Sequence, residues 1–225
     1  NMGNAFKEQG QLEQAVGAYK KSLSIEPDNA GVSNNLAVAF QEQGKLEEAI
    51  DAFNKTISIE PDNADAYTNM GVTLHDQGKF REAIESYTKA LSLKPDYANA
   101  YANMGISLHS HGKLKEAIEA YNKTISIEPS NANAYTNMGI SLHDQGRLDE
   151  AIDAHYKAIS IQPNNADAFN NVAIALKDRG KIAEAIEAYD KAISIRPDYA
   201  DAYKNKSLVK LATEEWKHGI KLRAW

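Results

Sequence analysis

The chain has no cysteine, only 6 prolines in 225 residues, two tryptophans and no long apolar run. Each shortage excludes something. Without cysteine there is no disulfide and no thiolate-bound metal, although the compartment stays open. Without an apolar run near membrane-spanning length, no transmembrane helix is expected and a membrane is not an expected partner. Basic residues are outnumbered, 25 Lys and Arg against 31 Asp and Glu, for a net charge of −6. A nucleic-acid binder needs a basic track to neutralise phosphates, so nucleic acid is not an expected partner either. No phosphate-cradling loop, metal-ligand spacing or paired nucleophile and base appears. The expectation is a protein that is not an enzyme, with no catalytic residue, no metal and no cofactor.

What is present is a period. Proline falls at Pro27, Pro61, Pro95, Pro129, Pro163 and Pro197, always 34 residues apart. Gly10, Gly44, Gly78, Gly112, Gly146 and Gly180 keep the same spacing, and so do Ala15, Ala49, Ala83, Ala117, Ala151 and Ala185. A fixed period of this length marks an array of like units, each burying its apolar face against the next.

One unit, Ala64–Tyr97, carries the pattern. Tyr67, Met70, Gly71 and Leu74 have the i, i+3, i+4, i+7 spacing of one face of a first helix. Ala83, Ile84, Tyr87, Ala90 and Leu91 form one face of a second. Gly78 between them can adopt the left-handed conformation that ends a helix. Pro95 closes the second helix, because it lacks an N–H and disfavours helix at the residue before it. Asp96 then precedes the next helix, where an acidic residue suits the N-terminus. Small residues at Gly71, Ala83 and Ala90 let the two helices approach closely. The unit is expected to be a tight helical hairpin.

Aromatic, apolar-Gly, aromatic or Leu, then Gly, Ala, aromatic, Ala and Pro at these spacings resembles the tetratricopeptide repeat (TPR) of 34 residues, over the whole chain. The resemblance implies an all-α, right-handed α-α superhelix of about six and a half hairpins, with a concave groove lined by first helices. Numbered so that proline is position 32, the single array of 1–225 divides into a partial repeat 1–29, full repeats 30–63, 64–97, 98–131, 132–165 and 166–199, and a divergent partial repeat 200–225. In that last repeat Glu214 stands where Gly is expected and Gly219 where Ala is expected, while Trp216 and Ile220 keep the places of Phe80 and Ile84. Both ends fall inside expected helices, so the chain reads as a segment of a longer protein. A missing signal peptide then says nothing of location, although a soluble, cytoplasmic protein is the expectation.

The face of each first helix opposite Tyr67–Leu74 holds Asp65, Asn69, Val72 and Asp76, with Thr68 and His75 on its flanks. Stacking turns such positions into columns. Asn1, Asn35, Asn69, Asn103, Asn137, Asn171 and Asn205 all occupy position 6. Asparagine is an indifferent helix former, so its return in mid-helix asks for a reason. One reading is a ladder of amides, each with an acceptor and two donors for the backbone of an extended peptide. The other is that each Asn bonds to an adjacent repeat and stiffens the array. By resemblance to the TPR arrays of O-linked N-acetylglucosamine transferases, which hold substrate polypeptide on such a ladder, peptide binding is the expectation. Beside it run Val38, Val72, Ile106, Ile140, Ile174 and Leu208, either apolar contacts for a ligand or packing between first helices.

His75, His109 and His143 form a further column. Equivalent side chains on neighbouring helices lie about 8–10 Å apart, too far to share a zinc ion about 2 Å from each ligand. A pH-sensitive groove wall is the expectation there, and His155, in an aromatic's place, should be a packed ring. Acidic residues at Asp65, Asp167 and Asp201, and at Glu42, Asp76, Asp144 and Asp178, should make the groove favour neutral or basic segments. The chaperone-tail type of TPR clamps carboxylates with lysines and an arginine. The matching positions here hold Asn34, Thr68, Ala102, Thr136 and Asn170, so that activity is not expected.

The expected function is a non-catalytic protein–protein interaction module, with Asn35, Asn69, Asn103, Asn137, Asn171, Asn205, Val72, Ile106 and Ile140 contacting an extended peptide. A second reading is the substrate-recognition arm of a larger enzyme such as a glycosyltransferase, since Trp216–Trp225 resembles the last repeat of some bacterial TPR proteins that continue into one. A third is an assembly scaffold that self-associates weakly through its convex face or its ends.

Overall fold

The computed structural model describes residues 2–223, and the side chains of residues 2–212. Among these the regular structure is helix alone. First helices are α1 (Met2–Glu8), α3 (Ala30–Glu42), α5 (Ala64–Asp76), α7 (Ala98–Ser110), α9 (Ala132–Asp144), α11 (Ala166–Asp178) and α13 (Ala200–Arg223). Second helices are α2 (Leu12–Ile25), α4 (Leu46–Ile59), α6 (Phe80–Leu93), α8 (Leu114–Ile127), α10 (Leu148–Ile161) and α12 (Ile182–Ile195). Internal contacts group the chain into two units, Asn1–Ala120 and Tyr121–Trp225, with the boundary inside α8.

Glycine makes the turn between the arms of each hairpin. Gly78 has φ +74°, its N–H donates to the His75 carbonyl at 2.8 Å, and the Lys79 N–H donates to the Leu74 carbonyl at 2.9 Å. These two bonds satisfy carbonyls that the end of α5 would otherwise leave unpaired. The same pair of bonds closes α3 at Gly44 and Lys45, and α9 at Gly146 and Arg147. In the last repeat Glu214 takes the glycine's place and α13 runs on to Arg223 as one helix. The second helix expected there is not separate: no glycine is present to take the positive φ that would end the first. The side chains of Glu214, Trp216, Gly219, Ile220 and Arg223 lie outside the described residues.

Four first helices start on an asparagine cap, one position after the place of Asp96 in the repeat. Asn63 Oδ1 accepts from the Ala66 N–H at 2.9 Å and Asn131 Oδ1 from the Ala134 N–H at 3.0 Å. Asn29 and Asn165 cap α3 and α11 in the same way. Tyr97 stands there in the third full turn of the pattern and makes no cap bond. Its hydroxyl donates instead to Asp65 Oδ1 at 2.7 Å.

Rings of second helices sit on glycines of first helices: Tyr19 on Gly3 and Tyr87 on Gly71 in the first unit, and His155 on Gly139 in the second. Tyr19, Phe53 and Tyr87 in the first unit and Tyr189 in the second are at most 1% exposed. The approach is close: a Cβ added at Gly71 would lie 2.6 Å from Tyr87 Cε1, and one at Gly3 would lie 2.4 Å from Tyr19 Cε1. Burying such a ring stabilises a hairpin by about 1.5–3 kcal/mol. In the first unit each second helix also packs on the next first helix, α2 on α3, α4 on α5 and α6 on α7, as α10 packs on α11 and α12 on α13 in the second. First helices touch as well, α3 with α5 and α5 with α7, then α9 with α11 and α11 with α13. In the first unit α2 and α4, and α4 and α6, make no contact of that extent, nor do α10 and α12 in the second. Within each unit the first helices are therefore the inner, more tightly packed side.

Two glycine substitutions separate close approach from mere flexibility. Gly71→Val should lower unfolding stability by about 1–3 kcal/mol, because the new side chain meets the Tyr87 ring. Gly17 lies in α2 with nothing within 4 Å of an added Cβ, so Gly17→Ala should raise stability by up to about 1 kcal/mol. Urea unfolding of both variants checks the opposite signs.

Candidate functional site

The face of each first helix that turns away from its own second helix holds the columns. In α5, Asp65 and Asp76 are exposed, Asn69, Val72 and His75 are half-buried, and Thr68 is buried. The period places Asn35, Asn69 and Asn103 at one position in the first unit, and Asn137, Asn171 and Asn205 in the second, all half-buried. Asn1 lies outside the described residues.

Their hydrogen bonds divide them. Asn35 Nδ2 donates to Asn4 Oδ1 at 3.3 Å, an oxygen that also accepts from the Tyr19 hydroxyl at 2.8 Å. Asn205 Nδ2 donates to Asn170 Oδ1 at 3.4 Å. At those two positions the amide does bond to the adjacent repeat. Among the described residues the side-chain amides of Asn69, Asn103, Asn137 and Asn171 bond to nothing, and none of their polar atoms is a buried orphan. Water meets them. The backbone around them is fixed: Thr73 Oγ1 donates to the Asn69 carbonyl at 2.9 Å, and Ser141 Oγ to the Asn137 carbonyl at 3.0 Å.

The apolar column has a double character. Val72 packs against the cluster of Leu74, Ala83 and Tyr87, with Met70 and Met104 beside it, and Val38 packs against the cluster around Phe53. Ile106 is 36% exposed and Leu208 55% exposed, while Ile140 and Ile174 are half-buried. Val38 and Val72 thus pack with one part of their surface and meet solvent with the rest.

The charges are more paired than composition implies. Glu42 is 3.2 Å from Lys7. Asp65 accepts from Tyr97, and Asp167 takes both Arg196 Nη1 at 3.1 Å and Nη2 at 2.7 Å. Hydrogen bonds from Arg196 hold the Asp167 carboxyl below the usual range. Asp178 accepts from His143 Nε2 at 2.8 Å and lies 3.0 Å from Lys177 Nζ. Burial works to raise that carboxyl, and the bonds from His143 and Lys177 outweigh it, so it too titrates low. Of the expected acidic wall, Glu42, Asp167 and Asp178 thus have a cationic partner within the protein, while Asp65 has a neutral hydroxyl donor. Asp76 and Asp201 remain exposed.

The histidine column ties repeats together. His75 Nδ1 bonds to Ser107 Oγ at 2.9 Å and its ring lies 5.1 Å from that of Phe80. His143 reaches from α9 to Asp178 at the end of α11. Neither bonds to a second histidine of the column. His155 is a packed ring, 1% exposed, and a Cβ on Gly139 would be 2.6 Å from its Cε1. Its Nδ1 is buried without a hydrogen-bond partner. Burial, with a smaller contribution from His143, pushes its pKa down to about 4.

Stacked helical hairpins with small-residue contacts and solvated inner columns define the class of helical-repeat proteins. Residues 3–44, 39–78, 73–112 and 107–146 match the TPR repeat, and residues 130–198 match the tetratricopeptide repeat. The chain belongs to the tetratricopeptide-repeat family, a family of modules that bind proteins or peptides. Among solved structures, MamA is 31% identical, over 72% of this chain and 95% of that one, with a TM-score of 0.69. YrrB, described as a TPR protein with an unusual peptide-binding site, is 25% identical over 84% of this chain and 98% of its own, with a TM-score of 0.69. PilW, a type IV pilus biogenesis factor, shares the fold at a TM-score of 0.81 and 21% identity, over 90% of this chain and 94% of that one. A comparison with curated proteins gave no match. Among the described residues no helix is long and apolar enough to cross a membrane.

His155 generates a test. A histidine whose folded pKa is depressed adds stability that is complete above its unfolded pKa near 6.5 and is lost as pH falls toward about 4. The loss amounts to roughly 3 kcal/mol across that window. His155→Phe should flatten the melting temperature between pH 6.5 and 4.5, and should raise stability at neutral pH by removing the unpaired Nδ1. Phe53 already fills the same place in its own repeat. Calorimetry of both proteins across pH checks it.

Proposed function

We propose that this chain is a non-catalytic module that holds an extended stretch of partner polypeptide against its first helices. Asn69 and Asn103 in the first unit, and Asn137 and Asn171 in the second, supply hydrogen bonds to the partner's main chain. Val72, Ile106 and Ile140 supply apolar contact from the solvent-facing part of their side chains. Asn35 and Asn205 stand in the same column and are already engaged within the protein, so they contribute less.

The observation that carries this reading is the four half-buried amides without an internal partner. Asparagine in mid-helix is a poor choice for the helix itself. An amide held by a rigid helix and bonded only to water exchanges that water for a backbone group at little ordering cost. The peptide-binding site named for YrrB supports the same class of ligand. A grip on main chain reads few side chains, so the bound segments should share extended backbone more than sequence.

The test is the double variant Asn103→Ala with Asn137→Ala. A peptide selected from a random displayed pool on the unaltered chain should bind the variant about tenfold more weakly, as loss of two or more hydrogen bonds implies. Its melting temperature should stay within about 2 °C of the parent, since neither amide bonds to the protein. Intact binding with a large fall in melting temperature would assign the column to array stiffness instead.

A further inference from the structure

The second unit carries a cleft of about 720 Å³ between α10, α11 and α12. Tyr156 of α10 and Phe169 of α11 line it with rings, and Glu184, Glu187, Asp190 and Lys191 of α12 line the facing wall. It is not part of the amide column. Phe169 and Asn171 are two residues apart on α11 and so point about 200° apart.

Tyr156 is the feature the repeat does not call for. The same position holds Lys20, Asn54, Thr88, Asn122 and Asp190 in the other repeats, so no aromatic is needed there to build a hairpin. Its ring is 45% exposed. Burial raises the pKa of its hydroxyl, and the Glu184 and Glu187 carboxylates add to that rise, which places both charges near the ring. The charges of the facing wall are unequally spent. Asp190 is bonded to Lys206 of α13, and Glu184 has Lys181 at 3.6 Å. Among the described residues Glu187 forms no ion pair, and it is the carboxylate of the wall left for a ligand.

We propose that this cleft is a second docking site, which takes an arginine side chain from a basic segment of a partner polypeptide. The unpaired Glu187 carboxylate selects a cation, and the two rings select one that can stack. A guanidinium lies flat on the open face of Tyr156, donates to the Glu187 carboxylate in a paired, planar geometry, and rests its alkyl stem on Phe169. A lysine ammonium satisfies the charge but offers neither the plane nor the paired donors.

An NMR titration of the full chain tests this with a short peptide in which two arginines flank a leucine, and with its glutamine counterpart. The arginine peptide should shift amide signals around Tyr156 and Glu187, and the glutamine peptide should not. Tyr156→Thr, which copies Thr88, and Glu187→Gln each change one exposed side chain and should weaken the arginine peptide at least tenfold. The double variant at Asn103 and Asn137 should bind it as the parent does, which keeps this site separate from the amide column. Equal binding of the glutamine peptide, undiminished binding by both cleft variants, or shifts confined to the asparagine column would each overturn the assignment.

Discussion

The contact between the ring of Tyr19, Tyr87 or His155 and a glycine of the facing first helix governs the packing of the hairpins. Where Tyr87 lies on Gly71, no room remains for a side chain on the glycine. The ring fixes how near the arms stand, and the near approach fixes which face of the first helix is spent on the hairpin. Everything on the opposite face is left for the neighbouring first helix and for solvent. Repetition at 34 residues then brings like residues to like places within each unit. A column is the consequence of packing, and its chemistry is whatever the sequence puts at that position.

That chain of cause explains what could be read directly from the residues. Proline, glycine and alanine at fixed spacing give the hairpins and their boundaries, because each acts through its own backbone conformation or size. The positive φ of Gly78 and the packed ring of His155 follow from position alone. Interactions between side chains of different helices were less legible. The caps at Asn63 and Asn131 needed coordinates, since an asparagine beside other polar residues at a helix start does not announce which side chain bonds to the backbone. The pairing of Asp167 with Arg196 joins residues 29 apart, and no local pattern announces it. The division of the asparagine column also needed coordinates. Asn35 differs from Asn69 only because Asn4 stands where other repeats carry an aliphatic residue.

Electrostatics refines the picture of the ligand. A net charge of −6 suggests a groove selective for cations, yet Glu42, Asp167 and Asp178 are already matched by Lys7, Arg196 and Lys177. These partners are exposed enough that each pair adds little stability of its own. Their larger effect is on what remains: amides and aliphatic surface with modest charge, a lining suited to peptide backbone. One carboxylate without an ion pair, Glu187, is found instead beside Tyr156, on another side of α11.

The central claim is that the inner amides are free donors and acceptors waiting for a main chain. The side-chain NH2 signals of Asn69, Asn103, Asn137 and Asn171 report on this directly when a selected extended peptide is added to saturation. The account predicts that these pairs shift together and exchange more slowly with water, while those of Asn35 and Asn205 change less. Unchanged signals from all four at saturation, with the perturbed residues elsewhere, would contradict it.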